Sequence, residues 1–597
     1  MSVERIFAFV VLVLCLTTGF ALSQEVTDFV QPERSSVLEK NSDYAIVRRS
    51  LAHKTRGQSA TSENWMVAVA HPLAAIESAK ILSAGGTAAD AWIVAQTVLG
   101  LVEPQSSGLG GGGFLVWWDA DRKKITTIDA RETAPAAATP QLFQHADGTS
   151  FGFFDAVVGG RSVGVPGIPA LLEKAHEKWG SMQWSELLEP AATMARNGFI
   201  VSPRLSSSIE RDATRLQNST STAAYFFPDG GTVQPGDLLT NPSYASTLDI
   251  LAIGGSEAFY TGEVGRAVVE IVQNHKNPGL LSHSDLAAYR VDEKPAVCVR
   301  YRGYDVCGMG PPSSGAIAVG QILKLLEPYD LSTTGSHSPQ SWRLIADASR
   351  LAFADRGKYV ADTEFVPVPT KGLLDPEYLR RRSELLSSKR ALEIALPGVP
   401  AGAQTQLLQG NAIELPSTTH MTIQDRYGNV LSMTSTIENG FGSRLMSGGF
   451  LLNNELTDFS FRDQKDGRQV ANRVQGGKKP RSSMAPTIIL KDGLPVLALG
   501  SPGGSRIIPY VAQAVIAFVD WKMSPQEIAA MPHIVNRFGT LEIERGTTAA
   551  WLAPSLEALG YDVKLGGLNS GLHIIEIRDG RLIGGADPRR EGVVIGG

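Results

Sequence analysis

The first sharply patterned stretch of the chain is MVAVA at 66–70, an unbroken apolar run that predicts a short buried strand. Leu73 to Ala84 then carries apolar residues at helical spacing and stops at Gly85-Gly86, and Ala88 to Leu101 predicts a second, Ala-rich helix. FLVWWD (114–119) and KITTIDA (124–130) predict a hairpin. Between residues 165 and 390 helical periodicity prevails, in runs such as IPALLEKAHEKW and SWRLIADASRLAFADR, broken by a strand-like pair at 295–310. Residues 388–417 are rich in Ala, Gly, Pro and Gln and read as a linker. From Thr418 the texture changes to strand and turn (TTHMTIQD, RYGN, VLSMTSTI), with further strands near 486–500 and 571–584 and helices near 509–521 and 525–531. A helix-rich part therefore meets a strand-rich part at 417/418. Residues 24–62 are polar with few periodic signals and predict an extended arm.

Composition narrows the field. With 43% hydrophobic and 19% charged residues over 597 positions, disorder of most of the chain is excluded. Lys plus Arg (55) against Asp plus Glu (60) leaves a net charge of −5, so no global basic field exists to hold nucleic acid or an anionic membrane. A small neutral or zwitterionic partner fits better. The 61 glycines gather in GLGGGGF at 108–114 and GSPGGS at 500–505, which implies tight backbone approaches there.

The extreme N-terminus reads as an address. Ile6 to Leu16 is apolar, too short for a span of about 20 helical residues but fitting a secretory core, and Ala21-Leu22-Ser23 supplies a small-residue cleavage site. Residues 1–23 are thus expected to be a signal peptide and the protein periplasmic or secreted; the alternative is a short buried helix, since Glu4 weakens the positive flank. Cys15 would leave with the signal. Of the other two cysteines, Cys298 and Cys307 flank Arg302-Gly303 symmetrically. A two-residue turn there pairs 301 with 304 and 298 with 307, a non-hydrogen-bonded pair at about 4.5 Å that a disulfide can bridge. Two free buried thiols are the alternative.

Several familiar motifs fail. Gly108 to Gly113 matches G-x-G-x-x-G, but a helix precedes it and a strand follows, the reverse of a dinucleotide site. The chain has no P-loop and no H-E-x-x-H or C-x-x-C pattern, and its ten histidines lack ligand spacing, so neither metal nor cofactor is implied. What remains is Ser417-Thr418-Thr419-His420 at the texture change, with Ser482-Ser483 and Gly503-Gly504 downstream. A cut before Thr418 would give it a free α-amine of pKa about 7.7–8, able to take the proton of its own hydroxyl near neutral pH. Gly503 and Gly504 could offer two backbone N–H groups to an oxyanion.

These segments carry a resemblance. VEPQSSGLGGGGF (102–114), DARETAP (129–135), PPSSG (311–315), STTHMTIQD (417–425), LLNNELTDFS (451–460), PRSSMAPT (480–487), GSPGGSRI (500–507) and ADPRREG (586–592) make the chain similar to the gamma-glutamyltranspeptidases (glutathione hydrolases) of the N-terminal-nucleophile hydrolase superfamily. The resemblance implies an αββα sandwich made as one precursor and self-cleaved into interlocked subunits. Here these would be 63–417, preceded by the arm 24–62, and 418–597. It implies that Thr418 is the nucleophile, cut from Ser417, and that Thr436 assists it. Gly503 and Gly504 would form the oxyanion hole. Arg131 would clamp a substrate carboxylate with Ser482 and Ser483, while Glu455 and Asp458 would receive its ammonium. The implied substrate is a glutathione-like γ-glutamyl compound, with water, an amino acid or a peptide as acceptor.

Two departures stand out. Glu438 occupies a place where the family usually has Asn, and strand spacing from Thr436 turns its side chain toward the pocket. A third acid there should raise at least one carboxyl pKa. Residues 459–481, corresponding to the family's lid, hold no Tyr or Trp to make an aromatic gate. The rivals are an acylase for glutaryl-type groups, which needs no ammonium site, and an uncleaved, noncatalytic binding protein.

Overall fold

The structure, a computed structural model, describes residues 44–410, 412, 414, 415 and 417–597. The segment 1–23 expected to be a signal peptide, and Cys15 within it, lie outside the described residues. Fourteen strands form two seven-stranded sheets. Those before the 417/418 junction are β1 (Ala60–Ser62), β2 (Met66–Val69), β3 (Gly112–Asp119), β4 (Lys124–Ala130), β5 (Asp292–Lys294), β6 (Val297–Tyr301) and β7 (Tyr304–Gly308). Those after it are β8 (Thr419–Gln424), β9 (Val430–Thr436), β10 (Thr487–Lys491), β11 (Leu494–Gly500), β12 (His573–Arg578), β13 (Arg581–Ala586) and β14 (Val593–Gly596). One sheet runs β1-β13-β12-β11-β10-β7-β6 and the other β14-β2-β8-β9-β3-β4-β5. The junction thus separates two textures in sequence, whereas each sheet draws strands from both sides of it.

The period-2 alternation of strands builds the layers. In β3, Val116 and Trp118 pack with Ile488 and Ala498 of the facing sheet, while Leu115 and Trp117 turn outward to the helices. The helices Pro72–Ser83, Ala88–Val102 and Ile168–Trp179 cover that outer face. Helices Gly315–Leu326, Pro339–Tyr359 and Ile507–Val519 cover the outer face of the other sheet, against Ile489, Leu497 and Ile574. The result is a four-layer αββα sandwich. Ala88–Val102 begins with a capping box between Thr87 and Asp90 and is buried along its whole length, which its Ala-rich sequence permits.

The region expected to be an extended arm is different. Ala45–Thr55 is a helix, and Ala60–Ser62 pairs with β13. Only Val47 and Leu51 supply an apolar stripe, and the rest of the anchoring is polar. The Lys54 ammonium is buried and donates to the carbonyls of Arg590 (2.8 Å) and Gly592 (2.7 Å). Ser50 Oγ accepts from the Val594 amide at 3.0 Å. A helix held in this way leaves little hydrophobic periodicity to read.

The hairpin β6–β7 has the register expected of it, with Tyr301 opposite Tyr304 and Cys298 opposite Cys307. Their Cα atoms are 4.0 Å apart and the sulfurs are bonded. The glycine run before β3 meets backbone rather than a ligand. A Cβ on Gly111 would lie 2.0 Å from the Thr436 carbonyl, and one on Gly110 would lie 2.1 Å from that of Leu451.

Candidate active site

Antiparallel pairing sets Thr419 against Ser435, so Thr418, entering β8, comes beside Thr436, the last residue of β9. Their hydroxyl oxygens are 3.0 Å apart. The Glu438 amide donates to Thr436 Oγ1 at 2.9 Å and fixes that hydroxyl. The peptide bond between Ser417 and Thr418 is intact. Its Ser417 carbonyl accepts from the Gly503 amide at 3.2 Å, the Ser417 hydroxyl donates to the Gln105 carbonyl at 3.0 Å, and the Thr418 carbonyl accepts from Arg590 Nη1 at 3.2 Å. Thr418 itself sits at φ +92°, a left-handed region that a β-branched residue strongly disfavours. Strain of this kind costs on the order of 1–3 kcal/mol and persists only where the surroundings enforce it. Gly503, at φ +138°, reaches a conformation closed to other residues.

His420, two residues on, is not a base for this pair. It is buried between Thr434 Oγ1 (2.9 Å) and Thr422 Oγ1 (3.0 Å), and burial drives its pKa well below the usual value, so it is a neutral core residue.

The other end of the site is charged. Arg131, just beyond β4, is fully buried; its Nε donates to the Pro480 carbonyl (3.1 Å) and its Nη2 to that of Arg481 (2.9 Å), which positions the loop bearing Ser482 and Ser483. Its two terminal nitrogens also pair with Glu455 and Asp458, from the single 3₁₀ turn Glu455–Asp458. The groups expected to receive opposite charges of a substrate thus neutralise one another in the uncleaved chain. One arginine faces several acids, and the excess appears in their protonation. Burial raises the pKa values of Glu455 and Asp458 well above the usual range against the pull of Arg131, and raises that of neighbouring Glu132 to about 8.

Glu438 lines the same pocket, although not for the reason strand spacing suggested. β9 ends at Thr436, and Glu438 has left-handed backbone, φ +74°. Its carboxylate accepts from Asn454 Nδ2 and, at 3.4 Å, from the Leu415 amide. Burial first, and the charge of Asp458 second, push its pKa well above the ordinary value. Asn439 turns away and accepts from Arg444 Nη2 at 2.7 Å.

Ser483 meets a group that the sequence did not single out. Its hydroxyl donates to the Glu414 carboxylate, which also pairs with Arg356 and lies 3.8 Å from Arg481. The Ser482 hydroxyl accepts from the Met484 amide at 3.1 Å, while Gly504 has no room for a Cβ, which would fall 2.6 Å from the Leu415 carbonyl. Glu414 and Leu415 thus occupy the pocket, leaving a cavity of about 20 Å³, space for one water molecule. Glu414, Arg356 and Arg590 carried no local signal of their own: a single Glu in a linker, an Arg at the end of a long helix, and an Arg in a tail motif.

The family model described as gamma-glutamyltranspeptidase matches residues 74–597. The "Glutathione hydrolase proenzyme" of Bacillus subtilis (strain 168) is 36% identical over 548 residues, covering 89% of this chain and 92% of that protein. The "Acylase ACY 1 proenzyme" of Pseudomonas sp. (strain SE83) is 35% identical over 548 residues, covering 90% of this chain and 94% of that one. Among solved structures, a cephalosporin acylase from Bacillus halodurans superposes with a TM-score of 0.79 at 25% identity, covering 90% of this chain and 97% of that one. On the extent of these matches, the chain belongs to the gamma-glutamyltranspeptidase family.

Proposed function

We propose that the protein is a proenzyme that cleaves itself before Thr418 and then acts as a gamma-glutamyltransferase and glutathione hydrolase. The observation that carries the reading is the junction itself: a scissile carbonyl held by the Gly503 amide, next to a strained Thr418 whose hydroxyl lies 3.0 Å from that of Thr436. In the cleavage step Thr418 Oγ1 attacks the Ser417 carbonyl carbon, the C–N bond breaks, and the hydroxyl proton passes to the departing nitrogen. Water then hydrolyses the ester, giving a Ser417 carboxylate and a free Thr418 amine. Strain released from Thr418 lowers the barrier to the first step.

In turnover the freed amine takes the Thr418 hydroxyl proton as the oxygen attacks the γ-carbonyl of the donor, and gives it to the leaving amine. The Gly503 and Gly504 amides receive the oxyanion, and Thr436 orients the nucleophile. The acyl group then passes to water, an amino acid or a peptide. Arg131, with Ser482 and Ser483, suits the donor carboxylate, because a planar guanidinium binds it bidentately. Glu455 and Asp458, with Glu438 beside them, suit the ammonium. Among the described residues no helix is long and apolar enough to cross a membrane, and the Cys298–Cys307 pairing accords with export to an oxidising compartment, periplasmic or extracellular, after loss of residues 1–23.

Release of p-nitroaniline from γ-glutamyl-p-nitroanilide, with and without glycylglycine, tests the activity. A glutaryl acylase is the second reading, favoured by the 35% identity to the ACY 1 proenzyme. The acids of the charged end weigh against it, since a glutaryl group has no ammonium to satisfy them. Turnover of glutaryl-p-nitroanilide exceeding that of the γ-glutamyl anilide would reverse the assignment.

A further inference from the structure

The pocket is filled by the chain's own segment ahead of the junction, and the filling is chemically specific. The Glu414 carboxylate is buried, receives the Ser483 hydroxyl, and pairs with Arg356, which itself donates to Ser483 Oγ (2.6 Å) and to Ser314 Oγ (2.7 Å). Arg481 is the second cation, 3.8 Å away. The next residue, Leu415, donates its amide to Glu438 Oε1, and the carbonyls of Glu414 and Leu415 press on Gly504, where a Cβ would come within 2.8 Å and 2.6 Å of them. The two residues Glu414 and Leu415 thus span from a serine assigned to the substrate carboxylate, met by the Glu414 side chain, to the glycine assigned to the oxyanion hole, met by their backbone carbonyls.

Building on the function proposed above, we infer that Glu414 is a built-in surrogate for the substrate carboxylate, positioning the Ser417 carbonyl for self-cleavage and excluding external donors until the cut is made. An anion in this place is favoured. Two buried arginines, Arg356 and Arg481, repel each other without it, and they hold the Glu414 carboxyl below its ordinary range despite burial. A charge held by two cations and a hydroxyl fixes one end of the segment; the Gly503 amide on the Ser417 carbonyl fixes the other. When the junction is cut the tether is lost, Glu414 can withdraw, and Ser483 is freed to join Arg131 and Ser482 on a carboxylate from outside, with the charges of Arg356 and Arg481 beside it. Glu414 is a positioning residue: it acts through the placement of the scissile bond and takes no part in proton transfer.

Two measurements on the full-length chain test this. Glu414→Ala should slow appearance of the small fragment roughly ten- to a hundredfold, the size of a lost hydrogen bond to a charged group. Added acetate should restore the rate in a saturable way, because a free carboxylate can enter the vacated place; Glu414→Gln, of the same shape and without charge, should be slowed and should not respond. A merely structural role for Glu414 would give no such rescue. The second measurement uses uncleaved protein. Thr418→Ala should not bind L-glutamate detectably in a calorimetric titration, whereas the Thr418→Ala/Glu414→Ala double variant should bind it, with circular dichroism confirming that both are folded. Cleavage of Glu414→Ala at the wild-type rate, slowed cleavage that acetate does not restore, or equal glutamate binding by the single and double variants, would overturn the inference. Its failure is distinguishable from failure of the functional reading, which is judged by γ-glutamyl anilide turnover in the cleaved wild-type protein.

Discussion

At one end of the pocket Thr418, Thr436 and Gly503 meet through neutral groups, two hydroxyls and a backbone amide, placed by the pairing of β8 with β9 and by the turn after β11. At the other end Arg131, Glu455, Asp458 and Glu438 meet as buried ionisable groups brought from three separate segments. The first end is set by strand register and a glycine conformation, so its geometry follows from the fold. The second is set by a balance of charge, so a single substitution can tune it without disturbing the chemistry. Reactivity and recognition should therefore separate under mutation.

The largest effect should come from the neutral end. Thr418→Ala removes the attacking oxygen, and the protein should remain one chain on a denaturing gel with no turnover of γ-glutamyl-p-nitroanilide. In the wild type, N-terminal sequencing of the small fragment should begin at Thr418, and any other start would break the comparison at its base.

Arg131→Lys attacks the charged end while keeping the charge. It loses the bidentate fork and the contacts to the Pro480 and Arg481 carbonyls, and donor binding should weaken by about 2–5 kcal/mol, the range for a desolvated charge pair. Cleavage into two fragments should persist. Wild-type kcat/KM in this variant would remove Arg131 from recognition.

A smaller, several-fold effect is expected at Glu438. Donor ammonium binding needs ionised carboxylates, and the acids here ionise above their ordinary range, so activity should rise with pH along a limb displaced toward neutrality. Glu438→Asn removes one negative charge beside Asp458 and Glu455. Their pKa values should fall, the limb should move to lower pH, and the KM for a γ-glutamyl anilide should drop. An unchanged profile would mean that Glu438 carries no weight in recognition.

The mildest test lies outside the pocket. Peptide mapping without reductant, on protein recovered from an oxidising compartment, should recover Cys298 linked to Cys307. Replacing both by Ser should cost about 2–3 kcal/mol of stability for so short a loop, with both pocket ends working as before.

Much of this was legible in the sequence where local rules decide. The apolar run at 66–70, the hairpin at 114–130 and the cysteine register follow from period and turn length, and Thr418 stands where linker gives way to strand. What was not legible depends on partners far off in the sequence or on backbone that nothing local announces. Lys54 reads as a solvent-facing residue until its carbonyl partners at 590 and 592 are known. Glu438 reads as a strand position because nothing local announces its left-handed backbone. Glu414 reads as one acid in a polar linker, and only the fold brings it to Arg356, 58 residues earlier, and to Ser483, 69 residues later.

The sharing of both sheets between the two sides of the junction has a consequence for the life of the protein. Before the proposed cut, β2 lies between β14 and β8 within a single chain, and folding is a unimolecular search. Afterwards neither fragment alone can complete either sheet, since each would lack strands that the other supplies and would expose unpaired edges. Renaturation of the mature protein from denaturant is then a second-order process, dependent on concentration and open to competing aggregation. Its durability is accordingly a matter of how slowly it unfolds rather than of a reversible equilibrium. On the proposed cleavage, the 417–418 peptide bond serves assembly, and its loss commits the molecule to the one structure it has already reached.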